Sequence, residues 1–155
     1  MGKIVILAEK PDFGTSLAAT IGGCYIDGKE LTPELLADKK YEGLIKKKRA
    51  KDGFLKAKLD GKECVITWVF GHLAKLKQAH DYDTRYKNWS EELFPFIPER
   101  YEIKLKEEPG IRKQFELIKS LFNDESTEYI INATDSDREG ELIFEYIYRL
   151  TGCKK

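Results

Sequence analysis

The stretch that decides the fold runs Tyr129-Ile130-Ile131-Asn132-Ala133-Thr134-Asp135-Ser136-Asp137-Arg138-Glu139-Gly140-Glu141. Three apolar residues enter it. Leu142, Ile143, Tyr146, Ile147 and Leu150 leave it at helical spacing, so a buried strand is expected to turn into a helix here. Three carboxylates, Asp135, Asp137 and Glu139, fall at alternate positions of that turn. Two carboxylates about 4 Å apart repel by roughly 1 kcal/mol in water and about 4 kcal/mol at a protein-surface dielectric. A fold that crowds three of them needs a proton, a cation or a splay that separates them. Hard oxygen ligands suit Mg²⁺, which keeps several waters and shares its remaining positions with phosphate oxygens.

Working outward, the chain opens with Lys3-Ile4-Val5-Ile6-Leu7-Ala8, an unbroken apolar run expected of a strand buried on both faces. Pro11 suits the first turn of a helix, along which Phe13, Leu17, Ala18 and Ile21 share one face before Gly22-Gly23 stops it. Two strand–turn–helix units at opposite ends of the chain point to an α/β fold with a largely parallel sheet. Ligands of such sheets bind beyond the carboxyl ends of the strands. Glu9-Lys10 and Asp135 to Glu139 both occupy that position, and parallel strands would bring them to one edge.

The middle is less regular. Cys24-Tyr25-Ile26 reads as a short strand before a turn at Asp27-Gly28, and residues from about Thr32 to Ala50 read as a polar helix carrying the basic cluster Lys46-Lys47-Lys48-Arg49. Phe54 to Leu59 and Cys64 to Phe70 are strand-like, with Asp60-Gly61 between them as a hairpin signal. Gly71-His72-Leu73 follows. Asp81 to Pro98, rich in Tyr, Trp and Pro, reads as a long ordered loop, Tyr101 to Leu105 as a strand and Gln114 to Phe122 as a helix.

A chain of 155 residues is expected to form one domain with a sizeable core. Its 27 basic and 27 acidic residues leave no formal net charge, so any contact with phosphate must be made by local patches or by other domains. Cys24, Cys64 and Cys153 form no C-x-x-C pair, which favours reduced structural thiols in a cytoplasmic protein over zinc or disulfides. No segment is long and apolar enough to span a membrane, and the start lacks a signal-peptide layout.

Glu9 after the first strand, with Asp135-x-Asp137-x-Glu139 after a later one, resembles the Toprim domain of topoisomerases, primases and some nucleases. Three blocks narrow the likeness: Leu7-Ala8-Glu9-Lys10-Pro11, Trp68-Val69-Phe70-Gly71-His72-Leu73 and Ala133 to Glu141. In that order they resemble the N-terminal region of type IA DNA topoisomerases, the bacterial topoisomerase III family most of all. The resemblance implies a Rossmann-like Toprim fold, a largely parallel central sheet flanked by helices, over residues 1–155. It leaves a hairpin and a basic insertion (about 31–58) beside that sheet. In such enzymes a tyrosine of a separate domain attacks one DNA strand, forming a 5′-phosphotyrosyl link that is later reversed without ATP, so that DNA is relaxed or decatenated. This chain ends at Lys155, so the tyrosine-bearing domains are expected in cis beyond it and the chain alone is expected to be inactive.

By the same resemblance Glu9 is the candidate general acid, against a solvated carboxylate capping the first helix. Asp135, Asp137 and Glu139 are the candidate Mg²⁺ ligands, against acids gathered by the dipole of a helix N-terminus. Lys10 and Arg138 are candidate catalytic contacts to the scissile phosphate, against ion pairs with the neighbouring acids, and both roles can hold together. His72 is a candidate substrate contact, against a structural histidine. His80 reads as a surface residue. The cluster at Lys46 to Arg49, with Lys51, Lys56 and Lys58, either binds phosphates or forms a solvated basic face. Tyr82, Tyr86 and Trp89 either stack on bases or pack their loop onto the core. The expected partners are single-stranded segments of DNA and the remaining domains of the same polypeptide, with no membrane. Two rivals use the same carboxylates differently: a free-standing Toprim nuclease acting through metal-activated water, and a non-catalytic nucleic-acid-binding module.

Overall fold

A computed structural model describes residues 2–88 and 90–155 of the chain. Trp89, one of the candidate stacking residues, lies outside the described residues. Strand β1 (Lys3–Ala8) leads through Glu9-Lys10 into helix α1 (Pro11–Ile21). A two-residue ladder follows, β2 (Tyr25–Ile26) and β3 (Lys29–Glu30), and then helices α2 (Pro33–Ala37) and α3 (Lys39–Asp52). Strands β4 (Phe54–Leu59) and β5 (Lys62–Trp68) form the expected hairpin. Its turn puts Asp60 and Gly61 at φ 49° and 79°, the pair of positive angles that matches the twist of the flanking strands.

After β5 come β6 (Ala74–Leu76), α4 (Ala79–Tyr82), two 3₁₀ turns (Thr84–Lys87 and Glu91–Leu93) and β7 (Ile103–Leu105), which pairs antiparallel with β6. The rings of Tyr82 and Tyr86 both pack against Phe96, so these two tyrosines hold their loop together. Helix α5 (Ile111–Asn123), strand β8 (Thr127–Ala133) and helix α6 (Arg138–Thr151) complete the fold.

The central sheet has the order β4-β5-β1-β8, with β1 parallel to both neighbours and only β4 antiparallel. Helices cover both faces. Ile4, Ile6 and Ala8 point into a core with Ala18 of α1 and Ile45 of α3, whereas Val5 and Leu7 point into a second core with Phe115, Ile118 and Phe122 of α5 and Ile143 and Ile147 of α6. Burial on both faces is what an unbroken apolar strand requires. Fully burying each of those α5 side chains is worth about 1.5–3 kcal/mol. Cys24, Cys64 and Cys153 are buried free thiols, and burial pushes those of Cys24 and Cys64 up to about 11. Among the described residues no helix is long and apolar enough to cross a membrane.

Two expectations are corrected. Helix α1 buries Gly14, Thr15 and Ala18 rather than Phe13, which stays 48% exposed. The helix lies so close to the sheet that a Cβ on Gly14 would stand 3.1 Å from the Trp68 ring, so small residues face the sheet and the large ring is turned out. Strand β8 is an edge strand rather than a buried one. Ile130 faces the α5–α6 core, but α1 packs over β4, β5 and β1, leaving Tyr129 and Ile131 on the uncovered face.

Candidate functional site

The site begins with register. Ala8 pairs with Ala133, so Glu9 and the acidic turn leave the sheet side by side. Glu9 is buried, and its Oε2 accepts a hydrogen bond from the backbone N–H of Asp135 at 3.1 Å. Lys10 bridges the two acids, with Nζ 3.3 Å from Glu9 Oε1 and 3.4 Å from Asp135 Oδ2. Glu9 first and Asp135 second hold the Lys10 ammonium above its usual lysine value.

The acidic turn is tied to its own backbone. The Asp137 carboxylate caps α6, accepting from the Gly140 N–H at 2.7 Å, and the Asp137 N–H donates to the Asp135 carbonyl at 2.8 Å. Gly140 is required by close approach rather than by φ, because a Cβ there would overlap the Asp135 carbonyl oxygen. Glu139 turns away and pairs with His72, Nε2 to Oε1 2.8 Å. The Gly71-His72-Leu73 segment, which follows the end of β5, is thereby joined to the first turn of α6.

The structure thus brings Glu9, Lys10 and Asp135 into contact and joins Glu139 to His72. Arg138 makes no ion pair among the described residues and lines an open groove with Asp135, Asp137 and Glu141. The three acids answer their mutual repulsion by a splay, one toward Lys10, one into a cap and one toward His72. Among the described residues no three carboxylates, histidines or cysteines gather into a preformed metal cage.

Two features escaped the sequence reading, an Asn132–Thr134 pair and Gln114. Asn132 Oδ1 accepts from the Thr134 N–H at 3.1 Å, its Nδ2 donates to Glu141 at 3.0 Å, and the Thr134 hydroxyl lies 2.9 Å from the Gly140 carbonyl. The Asn-x-Thr spacing before an acidic turn is the local signal that could have found them. Gln114 is the other. Its buried amide nitrogen lies within hydrogen-bond distance of the Gly53 carbonyl, the Thr67 hydroxyl and the Trp68 carbonyl, fastening α5 to the end of β5.

A mostly parallel α/β domain with carboxylates delivered by two strand ends is the architecture of the Toprim class. The Toprim domain family matches residues 4–155, and the chain belongs to it. Domains of that family are generally metal-binding. Within it the chain is similar to the N-terminal region of bacterial DNA topoisomerase 3. It is 33% identical over 147 residues to that protein of Bacillus thuringiensis (strain Al Hakam), covering 95% of this chain and 16% of the relative. The Staphylococcus epidermidis protein is 31% identical over 153 residues, 99% of this chain and 17% of its own length. The Bacillus subtilis protein is 30% identical over all 155 residues, again 17% of its length. The chain therefore spans about a sixth of the curated relatives it matches.

Proposed function

We propose that this chain supplies the Toprim part, residues 1–155, of a type IA DNA topoisomerase of the topoisomerase III kind. In this reading it belongs to an ATP-independent cytoplasmic isomerase that relaxes or decatenates DNA by cutting and rejoining one strand, and the tyrosine-bearing domains follow in the same polypeptide. The observation that carries the proposal is the pairing of Glu9 with Asp135 across 126 residues of sequence, in a chain similar from end to end to topoisomerase 3.

In the reaction, a tyrosine hydroxyl from those other domains gives its proton to solvent and bonds to a backbone phosphorus while the bond from phosphorus to the 3′-oxygen breaks. Glu9 gives the departing 3′-oxygen its proton and takes it back on religation. One phosphodiester replaces another, so no nucleotide is consumed. Lys10 and Arg138 face the charge that builds on the phosphoryl oxygens. His72, paired with Glu139, would contact the DNA strand. Asp135, Asp137 and Glu139 are hard oxygen donors on one turn, and by turning from Lys10, the α6 cap and His72 they would hold Mg²⁺, a cation that such donors suit. When bound, the ion would neutralise phosphate charge and hold the strand in place. Lys10, within reach of both Glu9 and Asp135, sits between the proposed proton donor and the proposed metal ligands.

The test uses the complete polypeptide. Glu9→Gln should abolish relaxation of supercoiled DNA while binding of single strands persists, and normal relaxation by that variant overturns the assignment. The 155-residue chain alone, given Mg²⁺ or Mn²⁺, should leave single-stranded DNA uncut. Metal-dependent cuts lost in Asp135→Asn would replace this reading with the nuclease.

A further inference from the structure

A cavity of about 460 Å³ opens one strand away from the carboxylates, within the size range of small-ligand sites. Its floor is Trp68, which pairs with Ala8 immediately before Glu9, and its rim includes Pro11, immediately after Lys10. The cavity and the acidic turn therefore share one edge of the sheet. Phe70 lines one side of it and is 54% exposed, so its ring is accessible from the pocket mouth.

Three cations line the same space. Lys46 and Arg49 come from α3 and Lys113 from the first turn of α5, against a single acid, Asp52, which is paired with Lys48 at 2.7 Å. Arg49 is fixed in place, with Nη1 2.5 Å from Asp12 Oδ1 and 3.2 Å from the Thr15 hydroxyl. Lys46 leans on Glu42, a partner exposed to solvent. Lys113 makes no ion pair among the described residues. An apolar floor, an accessible aromatic wall and a rim of cations complement a ligand that is flat at one end and anionic at the other.

We propose that this pocket holds one nucleotide of a single DNA strand, its base against Phe70 and its phosphate between Lys113 and Lys46. It would carry a strand away from the carboxylates across the end of β5. The proposal rests on the DNA reading above and adds a subsite in which α3 is the outer wall. It also separates the basic residues by role: Lys46 and Arg49 face the strand, while Lys56 pairs with Glu63 on the outer strand β4.

The test is anisotropy of a short fluorescent oligothymidylate with the purified chain at low salt. Phe70→Ala should weaken binding about tenfold, as loss of one stacked base does. Lys113→Ala should make the salt dependence shallower by about 0.7 in log–log slope, the share of one phosphate on a single strand. Lys75→Ala, on the β6–β7 ribbon, should change neither. Wild-type affinity in both Phe70→Ala and Lys113→Ala, equal weakening by Lys75→Ala, or no binding by the wild-type chain overturns the pocket. Competition by thymidine monophosphate as strong as by the oligomer overturns a strand in favour of a free nucleotide. The two proposals fail separately. If Glu9→Gln abolishes relaxation and Phe70→Ala binds normally, only the pocket falls. If Phe70→Ala weakens binding and Glu9→Gln relaxes DNA normally, the pocket stands and the catalytic assignment falls.

Discussion

At the acidic turn three side chains are committed to its backbone: Asp137 to the Gly140 N–H, Asn132 to the Thr134 N–H and, from the end of β1, Glu9 to the Asp135 N–H. In α3, which borders the same sheet edge, the exposed charged groups are committed to one another, Lys46 to Glu42 and Lys48 to Asp52, and only the more buried Arg49 is held from outside, by Asp12 and Thr15 of α1. Backbone partners cannot move without moving the chain, whereas long exposed side chains give up an ion pair for little, about 0.2–1 kcal/mol. The acidic turn is therefore a rigid object and the basic helix an adjustable one. A rigid centre beside a compliant wall is the arrangement that the proposed reaction and its proposed strand subsite would require.

Substitutions can break or sharpen that contrast. The largest effect belongs to Gly140→Ala. The added methyl group would overlap the Asp135 carbonyl, so α6 and the turn must separate, at a cost of about 3 kcal/mol read from the midpoint of denaturant unfolding. An unchanged midpoint would mean that the turn is not rigid. Asp137→Ala comes next. Loss of the α6 cap should cost about 1 kcal/mol by the same measurement, and Asp137→Asn should recover most of it because Asn also caps. In the basic region Asp12→Ala should cost less than about 1 kcal/mol, since Asp12 is itself 91% exposed although it holds Arg49. A larger loss would make α3 as rigid as the acidic turn.

The smallest effect is electrostatic. The hydrogen bond from Lys46 holds the Glu42 carboxyl below its usual value. A depressed carboxyl adds stability above its unfolded value, near pH 4.3, and loses it as the pH falls through the folded one. Lys46→Ala should return the Glu42 titration, followed by NMR, to the ordinary carboxylate range, with a small loss of stability at neutral pH that vanishes in acid. A Glu42 titration that stays low would mean that the helix holds this carboxylate by other means.

The elements that were legible in the chain are those whose signal is local. The unbroken run at Lys3 to Ala8, the Asp60-Gly61 turn and the spacing of Phe115, Ile118 and Phe122 each state one strand, hairpin or helix without reference to anything distant. The meeting of Glu9 with Asp135 followed from parallel strands alone. What could not be read depends on neighbours. Strand β6 is three residues long, too short to carry a period, and Tyr129 and Ile131 spell the same apolar run whether or not a helix covers them. The splay of the acids was hidden because spacing does not reveal that Asp137 is used as a cap or that Glu139 meets a histidine 67 residues earlier. The pocket wall was hidden for the same reason, since only the fold brings residues of α3 and α5 to the lining of one cavity.

The register of β1 with β8 has a consequence for how the molecule comes into being. Lys10 and Asp135 are 125 residues apart, while the β4–β5 hairpin closes through a two-residue turn. Closing a longer loop costs more entropy, and contacts remote in sequence form late in folding. The hairpin and α3 can assemble early, but the carboxylates meet only when the two extremes of the chain do. A partly folded molecule can therefore carry the basic wall before the Glu9–Asp135 pairing exists, and that hydrogen bond reports that the two distant strands have closed on each other.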